Sequence, residues 1–174
     1  SDVYKRQVEL SNEKIPYKEW EEAGYLTIQD KPYIDYNDVF DWILKINEHH
    51  PVEKITYDRA NAFRLNQDLK NYGFATEETR QGALTLSPAL KSLKELFLDG
   101  KVVYNNNPLL KWYINNVKLK LDRNGNWLPS KQSRYRKIDG FAALLNTYTD
   151  IMNKLTEESN TGNIEFISIK DLMN

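Results

Sequence analysis

Apolar residues recur along the chain with two spacings, one typical of helices and one typical of strands. Six segments carry the spacing of an amphipathic helix: residues 15–24, 35–50, 61–73, 87–100, 108–117 and 138–154. Shorter segments read as strands: residues 25–29, 52–58, 76–81 (strand or loop), 101–104, a hairpin over 118–129, and 164–169. The pattern therefore predicts helices and strands that alternate along the chain.

Capping residues mark where these elements begin and end. Asp35 is expected to cap the helix over 35–50, and Ser87 followed by Pro88 is typical of a helix start. Gly73 follows the third helical segment, a position where glycine commonly ends a helix. In the hairpin, the Asn-Gly pair at 124–125 predicts a tight turn.

This alternation predicts an α/β fold, a mixed sheet flanked by helices, with the hairpin as its antiparallel part. In open sheets of this kind, sites lie beyond the carboxyl ends of the parallel strands. That rule directs attention to Asp58, the last residue of the strand over 52–58.

Composition narrows the class of protein only a little. The chain has 174 residues, 40% of them hydrophobic, which suits one domain with a buried core. Its net charge of −1 indicates no partner, and the absence of cysteine excludes disulfides while remaining compatible with a reducing cytoplasm. No apolar run approaches the roughly 20 residues that span a bilayer, so we expect no membrane partner.

One segment is strongly basic. Residues 118–137 hold seven basic residues against the single acid Asp122, a local charge of +6, and include two aromatic residues, Trp127 and Tyr135. Cations with interleaved aromatic rings are the pattern expected for binding a nucleic-acid backbone, whereas the alternative is a solvated hairpin. The seven are Lys118, Lys120, Arg123, Lys131, Arg134, Arg136 and Lys137.

Two aspartates are candidates for chemistry. Asp58 shares a strand face with Thr56 and lies beside the next helix start, where it serves either a site or a helix cap. Asp139 falls in the first turn of the last helix, where the helix dipole favours an ionised carboxylate. Small residues follow it (Gly140, Ala142 and Ala143), so an ion or phosphate has room to approach. The alternative for Asp139 is again a helix cap.

The order of the segments carries more information than any one of them. "ITYDRANAFRLNQDL" precedes "TRQGALTLSPALKSLKELFLDGKVVYNNNPLLKWYINN", which precedes "RYRKIDGFAALLNTY". This series resembles the nuclease domain of the large terminase subunit of tailed bacteriophages, over roughly residues 13–153. The ordered features are a strand-end Asp, Gln-Gly, Asn-Pro before a Trp-containing helix, and Lys-Ile-Asp-Gly.

The resemblance implies a fold, a site and a reaction. The fold is ribonuclease-H-like, and a cluster of acids binds two divalent ions, Mg²⁺ or Mn²⁺. Asp58 resembles the second acid of that cluster and Asp139 the last, and the reaction is hydrolysis of phosphodiester bonds in concatemeric double-stranded DNA. We expect DNA-backbone contacts from the basic segment and its tryptophan, namely Lys131, Arg134, Arg136, Lys137 and Trp127.

The resemblance also implies partners and a setting. In the family the nuclease follows an ATPase motor, so ATP belongs to an upstream domain. The portal protein and the small terminase subunit are the expected partners, in the cytoplasm of an infected or lysogenic bacterial host.

The family's first acid lies on an opening strand, which residues 8–16 do not show. Residues 1–7, "SDVYKRQ", resemble an in-frame translation of a transposon end used to prepare sequencing libraries. We therefore expect residues 1–7 to be non-native, residues 8–153 to form a partial nuclease domain, and residues 154–174 to form a tail. The chain's own activity would then depend on the missing acid.

Two other interpretations stay open on the residues alone. One is a different ribonuclease-H-like nuclease of the resolvase type, which would lack an upstream phosphate-binding motor. The other is a non-catalytic DNA-binding or assembly module, which would need no metal ion.

Overall fold

The computed structural model describes residues 15–60 and 62–161, with side chains described up to residue 159. Its helices are α1 (Tyr17–Glu22), α2 (Tyr36–His49), α3 (Phe63–Tyr72), α4 (Ala83–Leu98), α5 (Pro108–Asn115) and α6 (Asp139–Thr161). Its strands are β1 (Ile55–Tyr57), β2 (Thr76–Glu78), β3 (Val117–Leu121) and β4 (Trp127–Lys131). The interpretations of residues 1–7, of the missing opening strand and of the strand over 164–169 concern residues outside those described.

Most of the expected helices form where the spacing predicts them. Asp35 caps α2, its side chain accepting a hydrogen bond from the Asn37 N–H, and Gly73 ends α3 in the left-handed conformation. Asn107 caps α5 by accepting from the N–H groups of two residues in its first turn. The last helix, α6, continues to Thr161, beyond the predicted end at residue 154.

Ser87 does not cap α4, contrary to the prediction. The helix begins one turn earlier, at Ala83 after Gly82, and Ser87 is buried within it. The Ser87 hydroxyl instead accepts a hydrogen bond from the Trp127 N–H at 2.9 Å, which ties the start of β4 to α4. Pro88 therefore lies inside the helix, whereas the sequence pattern placed it in the first turn.

Two predicted strands, over residues 25–29 and 101–104, are wrong. The first N–H group of each segment bonds to the preceding helix: the Tyr25 N–H donates to the Trp20 carbonyl, and the Lys101 N–H donates to the Leu96 carbonyl. Each segment thus begins by closing the end of a helix and continues as an irregular connection, unpaired with any strand among the described residues.

The strands form two separate pairs among the described residues. β1 and β2 are parallel, with Tyr57 opposite Glu78, and β3 and β4 form the predicted antiparallel hairpin. Parallel and antiparallel pairing therefore both occur, although not within one mixed sheet in this part of the chain. The architecture is mixed α/β, with small sheets packed against helices.

The core lies between α4 and α6. Apolar side chains from both helices are buried there: Leu86, Ala89, Leu90, Leu93, Phe141 and Leu145. The β3–β4 hairpin covers one side of this core with Val117, Trp127 and Leu128. A separate aromatic contact holds α1, because Trp20 packs against Trp112 of α5. No helix in the part of the chain described is long and apolar enough to span a membrane.

Candidate active site

Asp58 lies at the carboxyl end of β1, as predicted. The Thr79 N–H donates to the Tyr57 carbonyl, so Asp58 lies beside Thr79 at the end of the β1–β2 pair. The Asp58 side chain is exposed and accepts a hydrogen bond from the Ala60 N–H at 3.1 Å. This bond closes a local turn before α3, whose cap position is Ala62. The alternative that Asp58 caps α3 is therefore wrong.

Alternation along β1 places Asp58 on the face of the sheet that α6 covers. On one face, Tyr57 receives a hydrogen bond from Asn66 of α3. On the other, Lys54 pairs with Glu77 at 2.7 Å and with Asp150 of α6 at 2.5 Å. Residues at even spacing share a face, so Asp58 lies on the same face as Lys54.

The same ion pairs raise the pKa of Lys54 above its ordinary value, the Asp150 hydrogen bond contributing most and the Glu77 bond next. Lys54 is therefore a stable cation that joins both strands to α6. Asp58 and Asp139 lie on the two elements that this cation joins.

α6 runs antiparallel to the two strands. Its residue Asp150 contacts Lys54 before β1, whereas Asn146, one turn earlier in the helix, accepts from the Gln81 amide beyond β2. From the Lys54–Asp150 pair, Asp58 is four strand residues away, about 13 Å. Asp139 is eleven helical residues away in the same general direction, about 16 Å. Both carboxylates therefore lie towards the same end of the sheet.

Asp139 is the first residue of α6. The preceding residue, Ile138, supplies the carbonyl that accepts from the Ala142 N–H at 2.8 Å, so Ile138 occupies the cap position and Asp139 does not. The Asp139 carboxylate is exposed, and within residues 15–60 and 62–161 it forms no hydrogen bond or ion pair. It is therefore available to bind a cation.

The first turn of α6 packs tightly against α5. A Cβ atom on Gly140 would overlap the ring of Tyr113. The sequence analysis attributed the small residue after Asp139 to access for an ion, but the ring of Tyr113 fills that side. Gly140 therefore serves the contact between the two helices, and that contact determines where the neighbouring Asp139 lies.

The basic loop, residues 132–137, joins β4 to α6. Arg134 is exposed and stacks on the Tyr135 ring at 4.6 Å, and Arg136 is half-buried and donates to the Asn116 side chain at 3.3 Å. Lys137 is also half-buried, and Lys131 at the end of β4 is exposed. All four cations predicted to contact DNA thus lie within eight residues of Asp139 along the chain.

Trp127 is not an open platform for a base or sugar. Its ring is half-buried against the core, and two lysines of α4 lie over it, Lys91 at 5.5 Å and Lys94 at 5.1 Å. The sequence analysis missed these two cations because it confined the basic segment to residues 118–137. Their spacing of three residues on the polar face of α4 was the available signal.

Carboxylate oxygens are the donors that Mg²⁺ and Mn²⁺ prefer, so the chemistry of Asp58 and Asp139 fits such an ion. However, no group of three His, Asp or Glu side chains that could hold a metal ion occurs among the described residues. The two aspartates therefore fit as part of a ligand set and not as a complete one.

The chain is similar in sequence to proteins of one family. The sequence profile described as "Terminase large subunit, endonuclease domain" matches residues 3–154. Protein YmfN of Escherichia coli K12 is 27% identical over 90% of this chain, which covers 35% of YmfN. The terminase large subunit of Enterobacteria phage HK97 is 26% identical over 84% of this chain, which covers 29% of that subunit.

The crystal structure of the HK97 bacteriophage large terminase has the same fold, with a TM-score of 0.74 and 23% identity, over 86% of this chain and 31% of that one. The chain thus spans about a third of the length of these relatives. Because the family profile covers most of the chain, the chain belongs to the family of terminase large subunit endonuclease domains.

Proposed function

We propose that this domain, within its intact large subunit, is an endonuclease that hydrolyses phosphodiester bonds of double-stranded DNA with the help of two divalent metal ions. One observation carries the proposal. Asp58 follows β1 and Asp139 begins α6, and both lie towards the carboxyl end of the β1–β2 pair because α6 runs antiparallel to the strands that Lys54 joins to it. Bound Mg²⁺ or Mn²⁺ would activate water as the nucleophile and neutralise charge on the leaving oxygen.

The chain's own residues have two separate tasks in this proposal. Asp58 and Asp139 hold the ions through their carboxylate oxygens. Lys131, Arg134, Arg136 and Lys137 hold backbone phosphates beside them, which orients the duplex without reading its bases. Because these contacts are to the backbone, the enzyme should cut DNA with little preference for its sequence.

The proposal includes a third carboxylate outside the described residues. Within those residues β1 pairs with β2 along one edge, which leaves its other edge for a further strand. In a ribonuclease-H-like sheet the opening strand would pair there, and an acid at its carboxyl end would lie beside Asp58. Such a strand would complete both the sheet and the ligand set.

For the whole protein we propose the setting that its relatives' names suggest. HK97 and the Lactococcus phages SK1 and p2 carry similar proteins named as terminase large subunits. The intact protein would cut concatemeric viral DNA during packaging, in the cytoplasm of a bacterial host. An upstream motor would use ATP, and the portal protein and the small terminase subunit would be its partners.

The test compares Asp139→Asn and Asp58→Asn in the intact large subunit, with Asp41→Asn as control because Asp41 is an exposed acid of α2. Nicking of supercoiled plasmid is measured with Mn²⁺ or Mg²⁺. Loss of an ion ligand should slow cleavage by roughly 100-fold or more. The control should cleave normally, and all three variants should bind duplex in EDTA about as well as the parent.

Cleavage at the parental rate by Asp139→Asn would remove the proposed role of that residue. A parent protein that binds duplex yet never cuts, at any Mn²⁺ concentration, would instead be a DNA-binding module. The metal titration therefore separates the nuclease from the non-catalytic alternative.

A further inference from the structure

Asn116 connects α5 to the hairpin and is almost completely buried, with 1% of its surface exposed. Its backbone N–H donates to the Tyr113 carbonyl of α5 at 3.1 Å, and its other polar groups contact the basic loop. The Asn116 backbone carbonyl accepts from the Gln132 N–H at 3.1 Å. Its side-chain amide donates to the Lys137 carbonyl at 2.8 Å, and its side-chain oxygen accepts from the Arg136 guanidinium at 3.3 Å.

These bonds tie both ends of the basic loop to one residue. Gln132 is the first residue of the loop and Lys137 is the last, and Asp139 follows two positions later. Gln132 adds a second bond at the same end, because its side chain donates to the Asn115 carbonyl at 2.7 Å. A loop closed at one point has few conformations, so its cations keep a constant position relative to the first turn of α6.

We propose that Asn116 is a positioning residue, which holds the basic loop so that Arg136 and Lys137 face the phosphate backbone of a DNA duplex beside Asp139. The proposal rests on the function proposed above and adds the residue that orients its cations.

The chemistry of the side chain explains why asparagine is needed at this position. An amide has donors for the Lys137 carbonyl and an acceptor for the Arg136 guanidinium. Aspartate keeps the acceptor but loses the donors, and leucine has a similar shape but neither function. Asn116→Asp should therefore release the Lys137 end of the loop, and Asn116→Leu should release both side-chain contacts.

Limited trypsin digestion of the folded chain tests the release without any assumption about DNA. Trypsin cuts after Lys and Arg, and the loop contains Arg134, Arg136 and Lys137. We expect cleavage within the loop about tenfold faster in Asn116→Leu, and faster to a smaller extent in Asn116→Asp, because the loop opens locally more often. Fragment masses identify the bonds that are cut.

Thr149→Val is the matched control. Thr149 is also buried, with 3% exposed, and its hydroxyl donates to the Leu145 carbonyl of its own helix at 2.7 Å. The substitution removes a buried hydrogen bond of α6 without touching the loop. It should reduce overall stability while cleavage within the loop stays at the parental rate.

The second measurement is the affinity for a short DNA duplex, without metal ions, as a function of salt concentration. If the loop places two cations on phosphates, their release should reduce the slope of log K against log salt by about one for each lost contact. Thr149→Val should keep the parental slope. Asn116→Asp gives an answer even if Asn116→Leu fails to fold.

Faster loop cleavage together with a smaller salt slope supports the proposal. Loop cleavage at the parental rate in both Asn116 variants overturns it, and so does a released loop with an unchanged slope. The affinities are measured with the intact large subunit. If that parent protein binds no duplex at all, the proposed function fails, and the trypsin rates alone then show whether Asn116 holds the loop.

Discussion

At the scale of single residues, Gly140 allows α6 to pack closely against α5. Its missing side chain lets the Tyr113 ring lie against the first turn of α6. A methyl group there has to displace an aromatic ring that contacts both the core and Trp112. Because α6 begins at Asp139, any shift of this turn moves the carboxylate as well.

We therefore predict that Gly140→Ala lowers the free energy of unfolding by about 1–3 kcal/mol, as overpacking of a closed contact generally does. Chemical denaturation measures the change. Gly82→Ala is the matched control, since a Cβ atom there meets nothing within 4 Å and its φ of −77° suits any residue. Equal effects of the two substitutions would mean that the Tyr113 contact contributes nothing.

The residue scale also shows what the sequence could not reveal. Asp58 and Asp139 were recognisable as candidates because each adjoins an element boundary, and boundaries have local signals. The reason why residue 140 is a glycine was not recognisable, because the ring that packs against it belongs to Tyr113, 27 positions away along the chain. The burial of Asn116 was hidden for the same reason, since its partners come from a later loop.

At the scale of elements, helices were predictable because their apolar spacing is a local property. Strands were less so, because a strand exists only where a second strand accepts its hydrogen bonds. Residues 101–104 have strand composition, yet Val103 is 76% exposed and no strand among the described residues pairs with this segment. The start of α4 was misplaced because the Ser-Pro pair resembles a cap, while Ser87 bonds to Trp127 instead.

The hairpin depends on one carboxylate in its turn. Asp122 accepts hydrogen bonds from the N–H groups of Asn124 at 2.8 Å and of Asn126 at 2.9 Å, and from the Asn126 side chain at 2.8 Å. These bonds, chiefly the one from the Asn126 side chain, hold the pKa of Asp122 below its ordinary value of 3.8. The ionised form therefore stabilises the turn.

We predict a pH-dependent loss of stability in Asp122→Asn. A group whose pKa is lower in the folded state contributes stability above its ordinary value of 3.8 and loses it as the pH falls through the folded value. The variant should be less stable than the parent at pH 7, and the two should converge in acid below that value. Urea denaturation across the pH range measures the difference.

Asp68→Asn is the control for this prediction, since Asp68 is an exposed acid of α3 outside the hairpin. It should lose much less stability at neutral pH. A difference between Asp122→Asn and the parent that persists unchanged into acid would contradict the electrostatic explanation and indicate a steric one.

At the scale of the whole molecule, the candidate site depends on how distant segments pack together, which the apolar spacing along the chain does not show. Asp58 and Asp139 are 81 positions apart, and only the folded chain places them towards the same end of the sheet. The ordered series of segments predicted the family, and the family profile matches residues 3–154. The lysines above Trp127 were not anticipated, because α4 and the hairpin approach each other only in three dimensions.

Those lysines extend the cationic surface across two elements. Lys91 and Lys94 lie over Trp127 at the start of β4, and Lys131 ends the same strand, about 13 Å further along. A cation above an aromatic ring keeps its charge while its position is restricted. The surface therefore adds two cations to those of the basic loop.

We predict that Lys91→Gln/Lys94→Gln weakens binding of a DNA duplex and reduces the slope of log K against log salt by about two, one for each phosphate contact. The measurement is duplex affinity between low and moderate salt. The control is Lys45→Gln/Lys70→Gln, which removes two exposed lysines from α2 and α3 and should leave the slope unchanged. If the slope is also unchanged in the first variant while its stability falls, the two lysines serve only to pack the indole. The DNA surface would then be confined to Lys131 and the basic loop, which precedes Asp139 in the chain.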